Sequence, residues 1–314
     1  MKKVAISVGD LNGIGIQIAI QSHSQISKIV EPIYCIDKQM LRQASDRLNI
    51  SIPNDFKCIE DIAPYFEIEP AKVTKNSGIY SYNSFLKAIK LADSKKVDAI
   101  CTLPIHKKAW ELAGINYKGH TDMLRDYFNA KAIMMLGCKE MFVALYTEHI
   151  PLKDVASSLN EKDLTRFFID FYNKAKPTQT IAVLGLNPHA GDNGVLGDEE
   201  SIIASAINNA TKIIDKLKHS TSKPIFTTPL VPDVAFTPNI RKKYSHYIAM
   251  YHDQGLAPLK ALYFDEGINV SLNLPILRTS VDHGTAFDLA YTNSHLNLLS
   301  YTNAILYIKD NYEK

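Results

Sequence analysis

Four of the ten histidines lie in short polar segments beside glycine, proline or the end of a predicted strand. They are His120 in Gly-His-Thr-Asp, His149 in Thr-Glu-His-Ile-Pro, His189 in Asn-Pro-His-Ala-Gly and His252 in Tyr-His-Asp-Gln-Gly. Three imidazoles from separate loops could form an open metal site that leaves one position for a substrate. Their separations match no local metal-binding motif, so hydrogen-bonded loop histidines are the favoured interpretation from spacing alone.

Three polar residues late in the chain, Lys260, Asn269 and Arg278, could together bind a phosphate group. Arginine would supply a planar fork of donors, lysine a point charge and asparagine a neutral donor. The alternative is that the lysine and the arginine are solvated surface residues, which is their usual location. Arg278 follows an apolar segment and precedes Thr-Ser, an unusual place for a surface charge.

A glycine-rich segment, Gly9 to Gly15, follows a predicted strand and precedes a predicted helix. The backbone N–H groups of such a turn can bind an anion. The segment contains neither the dinucleotide fingerprint GxGxxG nor the P-loop GxxxxGK[ST]. A tight turn between strand and helix is an equally good interpretation.

Short apolar, β-branched segments alternate with longer segments of helical periodicity, and the helices are predicted at 77–94, 198–217 and 296–312. This alternation predicts an α/β protein with a mainly parallel sheet. Ligands of such sheets bind beyond the carboxyl ends of the strands, where the polar segments lie. The predicted strands are 4–8, 33–36, 97–102, 132–136, 141–147, 180–186, 247–251 and 268–272.

The composition is that of an ordinary globular protein, with 314 residues, 46% hydrophobic and 22% charged. A net charge of +2 without a basic cluster argues against a nucleic-acid partner. No apolar stretch is long enough to cross a bilayer, so no membrane partner is expected. The four cysteines are isolated from one another, which favours a reduced, cytoplasmic protein.

Several longer motifs occur along the chain. They are Gly-His-Thr (119–121), Thr-Glu-His-Ile-Pro-Leu (147–152), Pro-His-Ala-Gly (188–191), Leu-Gly-Asp-Glu-Glu (196–200), Tyr-His-Asp-Gln-Gly-Leu (251–256) and Arg-Thr-Ser-Val-Asp-His-Gly-Thr-Ala (278–286). Together these motifs resemble one family, the 4-hydroxythreonine-4-phosphate dehydrogenases, also called PdxA. The resemblance extends from residue 4 to about residue 292. The chain departs from the family pattern at Leu11-Asn12, where Pro-Ala is usual, and at Ile16-Gln17, where Pro-Glu is usual.

The resemblance implies roles for individual residues but identifies no general base. It implies three metal ligands, which are His149, His189 and His252. It implies five substrate-binding residues, which are His120, Thr121, Lys260, Asn269 and Arg278. By analogy with the adenosine-binding loop of isocitrate and isopropylmalate dehydrogenases, the candidate cofactor residues are Asp282, His283 and Gly284.

The resemblance also implies an isocitrate/isopropylmalate dehydrogenase-like fold of two intertwined α/β domains. Residues of about 1–125 and 270–314 are expected to form one domain, and about 126–269 the other. The family is homodimeric with an active site shared between subunits. His252 is the candidate to reach the neighbouring subunit's site.

The implied activity is oxidation of 4-phosphohydroxy-L-threonine at C3 with NAD or NADP and one divalent metal, which would be zinc, cobalt, magnesium or manganese. The resulting 2-amino-3-oxo-4-phosphooxybutanoate would lose CO₂ to give 3-amino-2-oxopropyl phosphate, a step in vitamin B6 biosynthesis. One alternative is the same chemistry on phosphorylated threonate or erythronate. Two others are a metal-dependent hydrolase without nicotinamide and a catalytically silent phosphate-binding protein.

Overall fold

A computed structural model describes residues 1–218, 224–292 and 294–312, and in them strands alternate with helices, which confirms the predicted α/β class. The strands are β1 (Lys3–Ser7), β2 (Glu31–Cys35), β3 (Lys57–Ile59), β4 (Ala99–Thr102), β5 (Ile133–Cys138), β6 (Met141–Leu145), β7 (Ala182–Val183), β8 (His246–Ala249), β9 (Ile268–Leu272) and β10 (Leu277–Val281). The helices are α1 (Gly15–Ile26), α2 (Lys38–Leu48), α3 (Lys75–Asp93), α4 (Lys107–Leu112), α5 (His120–Phe128), α6 (Val155–Ser158), α7 (Glu161–Ala175), α8 (Glu199–Lys218), α9 (Pro232–Ala235), α10 (Pro238–Arg241), α11 (His252–Tyr263) and α12 (Leu299–Asn311).

The chain divides into two compact units. The terminal unit combines Met1–Lys131 with Ile268–Lys314, so both ends of the chain contribute to it. The central unit is Ala132–Gly267.

The sheet of the terminal unit has the strand order β3-β2-β1-β4-β10-β9. All neighbouring pairs are parallel except β10 with β9, which is antiparallel. Every residue of β4 is buried, as expected for a strand covered on both faces. Its neighbour β10 comes from the far end of the chain and brings Arg278 beside it.

The sheet of the central unit has the order β5-β6-β8-β7. Strands β5 and β6 form an antiparallel hairpin, whereas β6, β8 and β7 run parallel. Helix α11 packs closely on this sheet at Gly255, where a Cβ atom would approach Val143 Cγ1 to 2.4 Å. This close approach fixes the helix whose first residue is His252. The apolar core includes Met134, Leu136, Met141, Val143, Leu145, Ala182, Leu184, Ala235, Tyr247, Ala249, Leu256 and Leu259.

Three strands differ from the prediction. The pattern does not reveal β3, a short strand with no fully buried residue, or β10, whose sequence Leu-Arg-Thr-Ser-Val includes a charged residue. Strand β7 is shorter than predicted, although isolated bridges from Ile181 and Leu184 continue its pairing at both ends. Among the described residues, none of the helices combines the length and the apolar character needed to span a bilayer.

Candidate active site

A buried arginine lies at the centre of the terminal unit's polar cluster. Arg278, on β10, is only 2% exposed. Its Nε and Nη2 donate to the hydroxyl of Thr102 at 3.2 and 2.7 Å. Its Nη1 donates to Asn269 Oδ1 at 3.2 Å and to Ser271 Oγ at 3.1 Å. The guanidinium is therefore held on two sides.

Strand register brings these four side chains to one face of the sheet. Ser271 lies directly opposite Arg278 in the antiparallel pair, and Asn269 lies opposite Ser280. Thr102 is the neighbour of Ser280 in the parallel pair. Residues two apart on a strand share a face, so the cluster follows from the pairing of β9, β10 and β4.

The hydrogen bonds of Arg278 within the described residues go to hydroxyl and amide oxygens, with no carboxylate among their acceptors. Burial lowers the pKa of Arg278 to about 10, because dry surroundings disfavour the charge. The group stays protonated at neutral pH. A buried charge without an opposite charge is costly, and an anionic ligand would compensate it.

The first turn of helix α5 lies beside this cluster. The hydroxyl of Thr121 is 3.5 Å from that of Ser271, which in turn binds Arg278. The helix begins at His120, and its N-cap residue, Gly119, has no side chain to accept from the first N–H groups. Uncapped N–H groups at a helix start favour an anion. Of the five predicted substrate residues, His120, Thr121, Asn269 and Arg278 therefore belong to the terminal unit.

His120 is held by aromatic rings. Its ring meets Phe85 edge-on at 4.6 Å between centroids and Trp110 at 6.0 Å. Burial, and then the positive charges of Arg278 and Lys107, hold the pKa of His120 well below its ordinary value. The imidazole is therefore neutral at physiological pH. Its Nε2 is buried and has no hydrogen-bond partner in the part of the chain that the structure describes, so it can bind a ligand group.

Lys260, the fifth predicted substrate residue, belongs to the central unit. It lies in the last turn of α11, where it is half-buried. Its ammonium is 5.5 Å from the centroid of the Phe264 ring.

Two of the three predicted metal ligands lie together in the central unit. The ring centroids of His149 and His252 are 5.6 Å apart. His252 Nδ1 is 2.7 Å from the Asp253 carboxylate, a contact that orients the imidazole and directs Nε2 elsewhere. His149 is exposed, and the side chain of His252 is 39% exposed.

His189 lies in a left-handed turn, within Pro188–Gly194. Residues 189 to 193 all have positive φ angles, between 43° and 78°. Such a run is sterically costly for residues other than glycine, so surrounding contacts must hold it. Glu200 fixes the residues that lead into the run, by accepting from the backbone N–H groups of Leu186 and Asn187 and from the Asn187 side-chain amide.

The histidines that lie together in one chain provide part of a metal site. Imidazoles suit zinc and cobalt, and His149 and His252 supply two of them side by side. Within residues 1–218, 224–292 and 294–312, no group of three or more His, Cys, Asp or Glu side chains is arranged to hold a metal ion. His189 is therefore not gathered with the other two within one chain.

The predicted cofactor residues lie in the loop after β10. The N–H of Asp282 donates to Ser300 Oγ, and His283 Nδ1 is 3.0 Å from the carbonyl of Gly284. Gly284 is exposed, and a Cβ atom there would meet nothing within 4 Å. The next residue, Thr285, accepts from the N–H of Ile14 in the glycine segment. The two loops are thus joined.

The glycine segment itself is a tight turn. The N–H of Asn12 donates to Asp10 Oδ1, that of Gly13 to the Asp10 carbonyl and that of Ile14 to Thr285. These three N–H groups already have acceptors, so the interpretation as an anion-binding loop is not supported. Asn12, where the family pattern has alanine, binds Lys72 O and the N–H of Glu69.

Sequence reasoning did not single out Thr102, Ser271 or Glu200. Thr102 is the last residue of the apolar strand β4. A lone polar residue at the carboxyl end of a buried strand is the signal that could have identified it as a site residue. Glu200 lies within the Leu-Gly-Asp-Glu-Glu motif, but the family resemblance implies no role for it.

The comparisons with known proteins agree with one another. A family model described as "Pyridoxal phosphate biosynthetic protein PdxA" matches residues 28–308. The chain is 60% identical over 303 residues to a 4-hydroxythreonine-4-phosphate dehydrogenase of Sulfurimonas denitrificans, covering 96% of this chain and 95% of that protein. The corresponding protein of Campylobacter fetus is 52% identical over 292 residues, which cover 93% and 92% of the two chains.

A solved structure supports the same assignment. The crystal structure of a 4-hydroxythreonine-4-phosphate dehydrogenase from Klebsiella pneumoniae superposes with a TM-score of 0.81 at 30% sequence identity. The match covers 98% of this chain and 100% of that one. The resemblance read from the motifs is thereby confirmed, and the chain belongs to the PdxA family of pyridoxal phosphate biosynthetic proteins.

Proposed function

We propose that this protein is a 4-hydroxythreonine-4-phosphate dehydrogenase of pyridoxal phosphate biosynthesis. Its relatives at 52% to 60% identity bear that name along nearly the whole chain. The structural observation that carries the proposal is the buried guanidinium of Arg278, whose hydrogen-bond partners are all neutral. A phosphorylated substrate supplies the anion that this group needs.

The reaction would remove a hydride from C3 of the substrate and a proton from its hydroxyl group. NAD or NADP supplies the hydride acceptor when bound, and Asp282, His283 and Gly284 are the residues proposed to contact it. The product is 2-amino-3-oxo-4-phosphooxybutanoate, whose ketone is β to the carboxylate. Loss of CO₂ then gives 3-amino-2-oxopropyl phosphate.

The substrate phosphate would be held by Arg278 and Asn269, with Lys260 as a further cation. Because Asn269 turns its oxygen toward Arg278, its amide N–H groups are free to face the ligand. Thr121 and the neutral His120 would contact the substrate as well. Binding at the phosphate end orients C3 at the other end of the site, which lowers the entropic cost of reaching the reactive geometry.

A divalent metal would be held by His149 and His252 together with a third donor, and His189 is the candidate of matching chemistry. When bound, such a metal polarises the hydroxyl group of the substrate. Because one chain aligns only two of these imidazoles, we propose a homodimer in which the second subunit completes the site. We further propose that the terminal and central units are the two domains of the family and that the protein acts in the cytoplasm.

The test is formation of NADH or NADPH with 4-phosphohydroxy-L-threonine, beside phosphorylated threonate and erythronate, with and without a chelator. Turnover highest on the first and abolished by the chelator supports the proposal. Turnover confined to the other two would assign the same chemistry to a different substrate. Absence of nicotinamide reduction with all three, in the presence of added metal, would overturn the dehydrogenase assignment.

A further inference from the structure

We propose that Thr102 is the positioning residue that fixes Arg278 for phosphate while leaving its charge uncompensated. The inference rests on the proposed function, since it gives Arg278 a phosphate to bind. Thr102 itself would not touch the substrate. Its hydroxyl would act through the guanidinium.

The contacts show how one hydroxyl can do this. The Nε and Nη2 groups form one edge of the guanidinium, the edge that a carboxylate usually occupies with two parallel hydrogen bonds. Here the single oxygen of Thr102 accepts from both, at 3.2 and 2.7 Å. The edge is thus closed by an acceptor that carries no charge.

The hydrogen bonds of Arg278 use four of its five N–H groups. A guanidinium has five N–H groups, one on Nε and two on each Nη. Thr102 takes one from Nε and one from Nη2, and Asn269 and Ser271 take the two of Nη1. Among residues 1–218, 224–292 and 294–312 no acceptor is bound to the second N–H of Nη2, which is left for a ligand. Thr102 therefore determines which donor the phosphate meets.

A neutral acceptor is the suitable chemistry at this position. A carboxylate in place of the hydroxyl would form an ion pair with Arg278 and cancel its attraction for phosphate. An aliphatic side chain would leave two buried N–H groups without an acceptor and the guanidinium free to turn. Threonine and serine avoid both problems, so the hydroxyl and not the methyl group is the functional part.

Thr102 is fixed by its own strand. It ends β4, whose residues are all buried, and its carbonyl accepts from the hydroxyl of Ser280 on β10 at 3.0 Å. A matched control lies close by. Thr279 is fully buried on β10, but adjacent strand residues point to opposite faces, so its side chain faces away from that of Arg278.

The experiment compares Thr102→Val, Thr102→Ser and Thr279→Val with the parent enzyme. KM and kcat are measured with 4-phosphohydroxy-L-threonine and with unphosphorylated 4-hydroxy-L-threonine, and inhibition by inorganic phosphate is measured alongside. We expect Thr102→Val to raise KM for the phosphorylated substrate and the inhibition constant of phosphate about tenfold, with kcat within about twofold. Thr102→Ser should restore both constants, and Thr279→Val should leave them unchanged.

Unchanged KM and unchanged phosphate inhibition in Thr102→Val would overturn the inference, as would an equal rise in KM for the unphosphorylated compound. If Thr102→Val does not yield folded protein, Thr102→Ala is measured in the same assays with the same expectation. Arg278→Lys distinguishes the positioning role of Thr102 from the phosphate site itself. If this variant weakens phosphate binding while the Thr102 variants do not, only the positioning role fails; if it too has no effect, the proposed phosphate site fails.

Discussion

The carboxylate of Glu200 accepts hydrogen bonds from two consecutive backbone N–H groups, those of Leu186 and Asn187, at 2.8 and 2.7 Å. Glu200 lies in the first turn of α8, whereas Leu186 and Asn187 lead into the left-handed turn that carries His189. Gly191 allows the turn to pass close to Glu200, because a Cβ atom there would lie 2.6 Å from its Oε2. The geometry of the histidine segment thus depends on one acidic residue outside it.

Replacing Glu200 with alanine should lower the free energy of unfolding by about 1–3 kcal/mol, because two backbone N–H groups lose their acceptor. Urea unfolding followed by circular dichroism would measure the loss. Glu199→Ala is the control, since Glu199 contacts only the side chain of Asn187 among these groups. Equal losses in the two variants would contradict the role assigned to Glu200.

Replacing Arg278 with lysine should raise KM for the phosphorylated substrate by about tenfold to a hundredfold. Lysine keeps the charge but cannot reproduce the planar fork that binds Thr102, Asn269 and Ser271. Steady-state kinetics with phosphorylated and unphosphorylated substrate would separate the effects. An equal rise for both compounds would place Arg278 away from the phosphate.

Asp10 should make the protein less stable as the pH rises. Burial raises the pKa of Asp10 from 3.8 to about 6, against the opposing hydrogen bonds from Asn12 and Ser77. A carboxyl with a raised pKa in the folded state contributes stability below its unfolded pKa and loses that contribution as the pH rises through its folded pKa. The corresponding free energy is about 3 kcal/mol, lost between about pH 4 and pH 6.

Comparison with Asp10→Asn isolates this contribution, because other carboxyl groups titrate alike in both proteins. The difference in unfolding free energy between the parent protein and the variant should shift by about 3 kcal/mol in favour of the variant across that pH range. Chemical denaturation at intervals of half a pH unit would measure it. A difference independent of pH would show that Asp10 has an ordinary pKa.

Replacing Asn12 with alanine, the residue of the family pattern, should destabilise this chain by about 1–3 kcal/mol. The Asn12 side chain is fully buried and binds backbone groups of Lys72 and Glu69. Thermal unfolding of the variant beside the parent protein is the measurement. Unchanged stability would mean that the segment around residue 70 does not need this anchor.

Replacing His149 or His252 with alanine should reduce the amount of bound divalent metal while the fold is retained. Both side chains are solvent-accessible, so their removal leaves no cavity in the core. Metal content after dialysis, measured by mass spectrometry, and far-ultraviolet circular dichroism would test this. His295→Ala, at an exposed residue, is the control. Full metal content in both variants would exclude the pair as ligands.

The sequence pattern predicts the alternation of elements well but the polar cluster only in part. Strands β1 and β6 are largely apolar and β9 alternates apolar with polar residues, so all three stand out, and the motifs identify Arg278 as a candidate. The partners Thr102 and Ser271 could not be found in this way, since each is an ordinary hydroxyl residue at the end of or within a buried strand. Their role depends on the register of β4, β10 and β9, which joins distant parts of the chain.

The His189 segment is a second feature that the sequence pattern does not predict. Its motif identifies the histidine, but a run of positive φ angles through Ala190, Asp192 and Asn193 contradicts local preference. The turn is accompanied by hydrogen bonds from Leu186 and Asn187 to Glu200, a residue outside it. Patterns of hydrophobicity contain no information about it.

The terminal unit is formed from two separate segments of the chain, and this determines the order in which its strands are synthesised. Strand β4 ends at Thr102, but its sheet neighbour β10 begins only at Leu277, after the whole central unit. On the ribosome, β4 therefore emerges long before the strand that covers its open edge, whereas the central unit has all its strands in one continuous segment. The nascent chain is expected to complete the central unit first and to expose the unpaired edge of β4 until β10 has been synthesised. The polar cluster around Arg278 cannot form before β10 is synthesised, so a chain terminated before Leu277 would lack it.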